Sequence, residues 1–288
     1  MKPMTPMNSA EPRVCVLTGA ASGIGRAAAL QLAQHDVQLV LVDRNLPGLN
    51  EVAAEIETAG HAAPRLHGAD LSTTGGVREL ADRLRADHPR IDVLANNAGV
   101  LCEKRVTTAE GLELTFAVNY LAPFLLTQRL RSALEASDDA RVINTSSLAH
   151  GHGKIHFDDP QLDHNWHFYR AYAQSKLAIM LFTRALSRRT EGTRITTNCF
   201  HPGVVNTGIG EQGIMTRIMR IAGPLIRTPE TGAASLVYLA TSPDVQHTRG
   251  EYFIDSRVRK PKRRGRDDEA AERLWEQTEA LLQTLSAS

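Results

Sequence analysis

The stretch Tyr172-Ala-Gln-Ser-Lys176 carries residue types that acid–base chemistry near neutral pH requires. A tyrosine and a lysine at this spacing fall on one face of a helix. The apolar run Leu177-Ala-Ile-Met-Leu-Phe182 that follows reads as a buried helix. A free phenol titrates near pH ~10, too high for easy proton exchange at neutrality. A cation fixed beside it favours the phenolate and lowers that value, which suits a general acid or base. The spacing alone also fits a surface tyrosine beside a solvated lysine. Its meaning depends on what else the chain supplies.

A second constellation lies near the start. The apolar run Val14-Cys-Val-Leu-Thr18 ends in Gly19-Ala-Ala-Ser22-Gly23-Ile24-Gly25 and continues into an Ala- and Leu-rich helical pattern. Glycines there let backbone amides approach a pyrophosphate, and a helix N-terminus adds partial positive charge. The spacing is Gly-x-x-x-Gly-x-Gly rather than the commoner Gly-x-Gly-x-x-Gly. Asp43 closes the next apolar run, where a carboxylate can accept hydrogen bonds from a ribose diol. It would repel a 2′-phosphate and so favours NAD. Arg44, its neighbour, could pair with that phosphate, which keeps NADP open.

These residues need elements to hold them. Apolar runs at 14–18, 37–42, 65–68, 91–95, 141–144, 194–200 and 251–254 predict strands. Helical patterns at 26–34, 50–59, 77–87, 112–134, 172–189 and 229–239 fall between them. The strand runs are continuously apolar rather than alternating, as in strands buried on both faces. Strand and helix in alternation, joined by right-handed crossovers, predict an α/β doubly wound parallel sheet.

Composition sets the outer bounds. A chain of 288 residues with 42% hydrophobic content has enough apolar material for a substantial core. A net charge of +1 gives no global attraction to nucleic acid or membrane. No apolar run is long enough to span a bilayer, so no stable membrane insertion is expected. Cys15, Cys102 and Cys199 are far apart, without metal spacing, and read as reduced thiols of a cytoplasmic protein. Residues 1–12 are expected to be a loose leader, 13–256 the α/β domain, and 257–288 a basic connection with a C-terminal helix.

Taken together, Thr18-Gly-x-x-x-Gly-x-Gly25, Asp70, Asn96-Asn-Ala-Gly99, Asn119, Ser147, Tyr172-x-x-x-Lys176 and Pro202-Gly203 with Thr207 resemble the short-chain dehydrogenase/reductase family. The likeness spans about 14–255, nearly the whole chain. Arg141-Val-Ile-Asn-Thr-Ser-Ser-Leu-Ala-His150 and His201-Pro-Gly-Val-Val-Asn-Thr207 are further similar to the retinol dehydrogenase-like branch, which includes WW-domain oxidoreductase relatives.

The resemblance implies a Rossmann fold with a helical lid at about 208–228, and an NAD(P)-dependent enzyme interconverting alcohols and ketones or aldehydes. It makes Tyr172 the general acid or base and gives Lys176 the tasks of tuning it and binding the nicotinamide ribose. Ser147 would hold the substrate oxygen, with Ser146 the competing choice, and Asn119 would place a water that links Lys176 to solvent. For the cofactor it implies Gly19, Ser22, Gly23, Ile24 and Gly25 at the phosphates, and Asp43 with Arg44 at the adenosine ribose. Asp70 and Leu71 would meet adenine, with Asn97, Ala98 and Gly99 bordering the adenosine side. Pro202, Gly203, Val205 and Thr207 would meet the carboxamide. A homodimer or homotetramer is the assembly to expect.

Other features take plainer readings. His150, His152, His156, His164 and His167 match no helical ligand spacing, so no metal is expected. Tyr169 has no lysine four residues on and is placed at the substrate entrance. The amphipathic segment Ile214-Met-Thr-Arg-Ile-Met-Arg-Ile221 suits a lid over a lipophilic small molecule. The basic run 257–266 is read as a solvated connection, with nucleic acid or an anionic membrane as alternatives. The rival function is a non-catalytic protein that senses NAD(H) and acts through a partner.

Overall fold

A computed structural model describes residues 12–203 and 227–287. Its frame is one eight-stranded sheet in the order β3-β2-β1-β4-β5-β6-β7-β8. The strands are β1 (Arg13–Thr18), β2 (Val37–Asp43), β3 (Arg65–Gly68), β4 (Val93–Asn96), β5 (Ala140–Thr145), β6 (Ile195–His201), β7 (Tyr252–Ile254) and β8 (Arg257–Arg259). All neighbours pair in parallel except β7 and β8. The helices are α1 (Gly23–Leu32), α2 (Leu46–Thr58), α3 (Thr74–Asp87), α4 (Leu114–Phe116), α5 (Ala122–Arg129), α6 (Arg131–Glu135), α7 (Phe168–Arg189), α8 (Pro229–Thr241) and α9 (Asp268–Ala287).

The continuous apolar runs follow from burial on both faces. Successive strand side chains point to opposite sides. Val14 and Val16 enter the core under α3, α5 and α7, whereas Cys15 and Leu17 enter the core under α1, α2 and α8. The same alternation sends Val40 and Val42 one way and Leu39 and Leu41 the other. The strand order reverses between β1 and β4, so a crevice opens outside their carboxyl ends. The sequence motifs lie around that crevice.

Two stretches depart from expectation. The helix expected over 112–134 is broken into α4, a π-helical turn Ala117–Leu121, α5 and α6. Pro123 has no N–H to return to the carbonyl four residues back, at Asn119, so the ordinary ladder is interrupted there. Ala122 bonds instead to the Ala117 carbonyl across a wider turn. The interruption falls on Asn119.

The second is the basic run, which is not simply a solvated connection. Asp255 and Ser256, at φ 54° and 56°, turn the chain so that Arg257–Arg259 pairs with β7 as an antiparallel edge strand. Beyond it α9 docks through Trp275, whose ring centroid is 4.7 Å from Phe124 and 5.8 Å from Phe182. The Arg189 guanidinium covers the indole at 4.0 Å. Arg184 and Arg188 pair with Asp268, and Arg188 and Arg189 with Glu272.

Candidate active site

A cavity of about 520 Å³ occupies the crevice. Its lining includes Gly19, Ser22, Gly23, Ile24, Gly25, Asp43, Arg44, Asp70, Leu71, Asn97, Ala98 and Gly99 on one side. Ser147, Tyr172, Lys176, His201, Pro202 and Gly203 complete it at the other. Asn119 stands just behind. Val205, Thr207 and most of the expected lid at 208–228 lie outside the described residues.

The glycine loop is shaped by backbone contact. Gly19 has φ +70°, and a Cβ on it would sit 2.7 Å from the Ala98 Cα. A Cβ on Gly25 would sit 1.9 Å from the Gly19 carbonyl oxygen. Only hydrogen fits at either place. Ser22 caps α1 without spending its hydroxyl on the helix, so the first-turn amides face the cavity uncapped by that side chain. A cradle closed to side chains and edged by free helix amides fits a dinucleotide pyrophosphate.

Asp43 is fixed beside this loop. Its two oxygens accept from the Ala21 amide at 3.2 Å and the Asn45 amide at 3.0 Å. Each oxygen keeps a lone pair for a further donor. Arg44 is exposed at the same rim and has no hydrogen bond or ion pair among the described residues. Asp70 accepts from the Ser72 amide at 2.9 Å.

The strand ends are cross-tied by buried polar groups whose roles the sequence reading did not foresee. The Thr18 hydroxyl accepts from the Asn97 and Ala98 amides at 3.0 and 3.1 Å. Asn97 returns its side-chain amide to the Thr18 carbonyl at 3.1 Å. One layer below, Asn96 donates to Asn144 at 2.9 Å and to Thr127 at 3.2 Å, and Asn144 donates to Thr183 at 3.0 Å. This chain joins β4, β5, α5 and α7. An asparagine in a strand carries no periodic signal, so only the fold could reveal its partners.

Tyr172 projects from the second turn of α7. The Lys176 ammonium lies 5.6 Å from its ring centroid and donates to the Thr145 carbonyl at 2.9 Å. Lys176 is 4% exposed, and burial lowers its pKa to about 8. Burial pushes the Tyr172 phenol up; a hydrogen bond with Ser147 opposes this and the neighbouring Tyr169 adds to it. The groups that set this direction are burial, Ser147 and Tyr169. The ammonium lies over the ring and donates to a carbonyl.

Ser146 and Ser147 divide. The Ser146 hydroxyl is buried and donates to the Lys176 carbonyl at 3.0 Å. Ser147 lies in the cavity wall and accepts from the Ala149 amide at 3.2 Å. Asn119, in the π turn, accepts from the Val100 amide at 2.7 Å and donates to the Val100 carbonyl at 2.9 Å and to Ser175 at 3.0 Å. A Cβ on Gly99 would lie 3.3 Å from Asn119 Oδ1 and 3.5 Å from Lys176 Nζ, so the two side chains flank one backbone position.

The long loop between Ser147 and α7 is anchored on both sides. Gln161 accepts from the Glu113 amide at 2.8 Å, and Trp166 donates to the Glu113 carboxylate at 3.3 Å. Gln174 of α7 accepts from the His156 amide at 2.9 Å and donates to the Pro160 carbonyl at 2.9 Å. Tyr169 reaches the cavity rim with its hydroxyl 2.8 Å from His152 Nδ1. Leu101, Leu114, Val118 and Leu148 make that end of the cavity apolar. His201, quoted in sequence but given no role there, is buried in the wall and pushed down to about 4, chiefly by burial and then by the Arg227 charge.

With this geometry stands a family. Residues 13–215 match the profile described as short chain dehydrogenase, and the chain belongs to that family, in its retinol dehydrogenase-like branch. It is 38% identical to retinol dehydrogenase 13 of Homo sapiens over 284 residues, covering 94% of this chain and 84% of that one. It is 40% identical over 280 residues to a Streptomyces sp. (strain C5) protein provisionally named daunorubicin C-13 ketoreductase DnrU, covering 96% and 95%. Among solved structures it is similar to a short chain dehydrogenase, so described provisionally, from Shigella flexneri 2A str. 301 complexed with NADP. That match has a TM-score of 0.67 and 26% identity over 85% of this chain and 97% of the other. The protein is thus an oxidoreductase that uses a nicotinamide dinucleotide to interconvert alcohols and carbonyls.

Proposed function

We propose that the chain interconverts a lipophilic alcohol and its ketone or aldehyde, with Tyr172 as general acid and base. The observation that carries this is the meeting of Tyr172, Ser147 and Lys176 on one wall of a cavity whose other end is the glycine cradle. When bound, the nicotinamide supplies or accepts the hydride.

In carbonyl reduction Tyr172 gives its phenol proton to the substrate oxygen, and Ser147 donates a hydrogen bond to the same oxygen as charge gathers there. In alcohol oxidation the phenolate takes that proton back. Lys176, held at the Thr145 carbonyl, supplies the positive charge that favours phenolate once the proton has left. Asn119, fixed to Val100 and Ser175 next to Lys176, is assigned the placing of a water that returns protons to the site. The raised phenol suits the donor role in reduction, because it keeps the proton in place until a substrate oxygen draws it off.

The apolar end formed by Leu101, Leu114, Val118, Leu148 and Tyr169 supports a lipophilic substrate. The names of the relatives are of the same kind: one is named for retinol and one for the C-13 ketone of daunorubicin. For the cofactor we favour NAD, because the anchored Asp43 carboxylate would repel a 2′-phosphate. The unpaired Arg44 at the same rim, and the NADP held by the Shigella relative, support NADP as the second reading.

The test is a panel of retinaldehyde, daunorubicin, smaller ketones and the matching alcohols with each of the four cofactor forms, followed by nicotinamide absorbance. Wild type should turn over lipophilic members, and Tyr172→Phe should lose about a hundredfold or more in kcat while still binding cofactor. If both proteins are equally inactive on every compound while cofactor binds, the NAD(H)-sensing alternative stands instead.

A further inference from the structure

Of the five histidines in the 150–167 loop, only His150 is buried, at 2% exposure. Both ring nitrogens are engaged. Nδ1 lies 2.6 Å from the Ser147 carbonyl oxygen, and Nε2 accepts the Lys262 amide at 3.3 Å. A carbonyl can only accept, so Nδ1 carries the proton; a backbone N–H can only donate, so Nε2 is bare. The two bonds select one neutral tautomer. Burial, acting first, holds the ring below its ordinary pKa; His152 and Lys262 act the same way and the Ser147 carbonyl opposes them.

The far side of the ring is equally fixed. Tyr252 of β7 meets it edge-on at 5.1 Å between centroids. Gly265 closes over it, since a Cβ there would lie 3.4 Å from His150 Cδ2 and 2.4 Å from Met180 Sδ. Arg264 donates to the Gly153 carbonyl at 3.1 Å, so the turn Leu148–His152 is tied to the segment after β8 at its middle, His150, and at its C-terminal end. The basic run therefore reaches the catalytic wall through one imidazole.

We propose that His150 is a positioning residue for Ser147, its ring transmitting the fixed position of residues 262–265 to the serine that faces the substrate oxygen. The inference rests on the assignment of Ser147 above. A serine hydroxyl displaced by about an ångström loses most of its catalytic advantage, and that displacement is what the imidazole prevents.

The test uses the full-length protein and the best substrate of the panel. His150→Phe keeps the ring and removes both bonds. His150→Asn keeps a donor near the Ser147 carbonyl, whereas His150→Gln keeps an acceptor near the Lys262 amide. Lys262→Pro removes the amide donor together with the lysine side chain without backbone strain, because Lys262 already has φ −61°, which proline adopts. Lys262→Ala is the control that keeps the amide. His150→Phe and His150→Gln should lose about tenfold or more in kcat with cofactor affinity unchanged, and His150→Asn should recover most of it. Lys262→Pro should fall with them, and Lys262→Ala should not. In a Ser147→Ala background, His150→Phe should cost less than about twofold, which a merely structural role would not produce.

The idea is overturned if His150→Phe keeps wild-type kcat, or costs as much without the Ser147 hydroxyl as with it. If Ser147→Ala itself turns over normally, the role of Ser147 falls and this proposal with it. A readout free of substrate is the nitrogen resonances of 15N-histidine-labelled protein. A protonated Nδ1 and a bare Nε2 at neutral pH support the latch; the opposite tautomer or an imidazolium sinks it.

Discussion

The Lys176 ammonium is held 2.9 Å from the Thr145 carbonyl oxygen, at the end of β5 and just before the serine pair. That bond ties α7 to the strand end that carries Ser147, and the ammonium lies 5.6 Å from the Tyr172 ring centroid. A buried cation with one neutral acceptor is costly, and α7 retains it where a leucine would pack better. The cost has consequences that can be measured.

Burial lowers Lys176 from 10.5 to about 8, so the folded state releases a proton that the unfolded chain still holds between these values. Stability should therefore rise with pH across that interval, by up to roughly 3 kcal/mol from this group. Lys176→Met should stabilise the protein most below pH ~8, and the difference should vanish above pH ~10.5, where lysine is neutral in both states. Urea melts of the two proteins across pH would check this. An equal gap at every pH would show that the charge is not the cause.

Gly25→Ala places a Cβ 1.9 Å from the Gly19 carbonyl, a backbone atom that cannot swing away. The loop must move, at a stability cost of about 1–3 kcal/mol. Cofactor affinity measured by NADH fluorescence should fall at least tenfold. Gly60→Ala serves as the contrast: its added Cβ meets nothing within 4 Å, so the cost is φ strain alone and NADH binding should be unchanged.

Asn119→Ala strands both the amide and the carbonyl of Val100 and one partner of Ser175. A loss of about 1–3 kcal/mol in stability is expected for each group left buried and unpaired. Asn119→Asp keeps the acceptor for the Val100 amide but not the donors. It should fall between wild type and alanine in denaturant midpoint, and an alanine variant as stable as wild type would contradict the account.

Asp43 and Arg44 make opposed demands at one rim. Asp43→Ala should reduce the preference of kcat/KM for NADH over NADPH, and Arg44→Ala should increase it. A native enzyme that already prefers NADPH strongly would make Arg44 the dominant reader.

Trp275 fixes the C-terminal helix onto α5 and α7 through Phe124, Phe182 and Arg189. Trp275→Ala should cost about 3–5 kcal/mol, read as a lower urea midpoint. A variant that melts like wild type would return α9 to the status of an appendage.

The sheet, its order of elements and the glycine cradle were legible because they rest on local rules. Continuous apolar runs demand burial on two faces, and a Gly-x-x-x-Gly-x-Gly turn between strand and helix demands close backbone approach. The spacing of Tyr172 and Lys176 was equally plain from helical periodicity. Less legible was the break at Asn119, where one proline interrupts a long apolar pattern without erasing it.

What the sequence could not decide were the partners of polar groups far apart in the chain. Nothing local says that Lys176 donates to the Thr145 carbonyl, that Asn96 reaches Asn144, or that a basic run becomes an edge strand whose continuation holds His150. Charge and hydrogen bonding act over a few ångströms, and only the tertiary fold brings residues 31, 48 or 112 positions apart within that range. The residue types of Tyr172 and Lys176 came from the sequence; the burial that raises one pKa and lowers the other belongs to the fold.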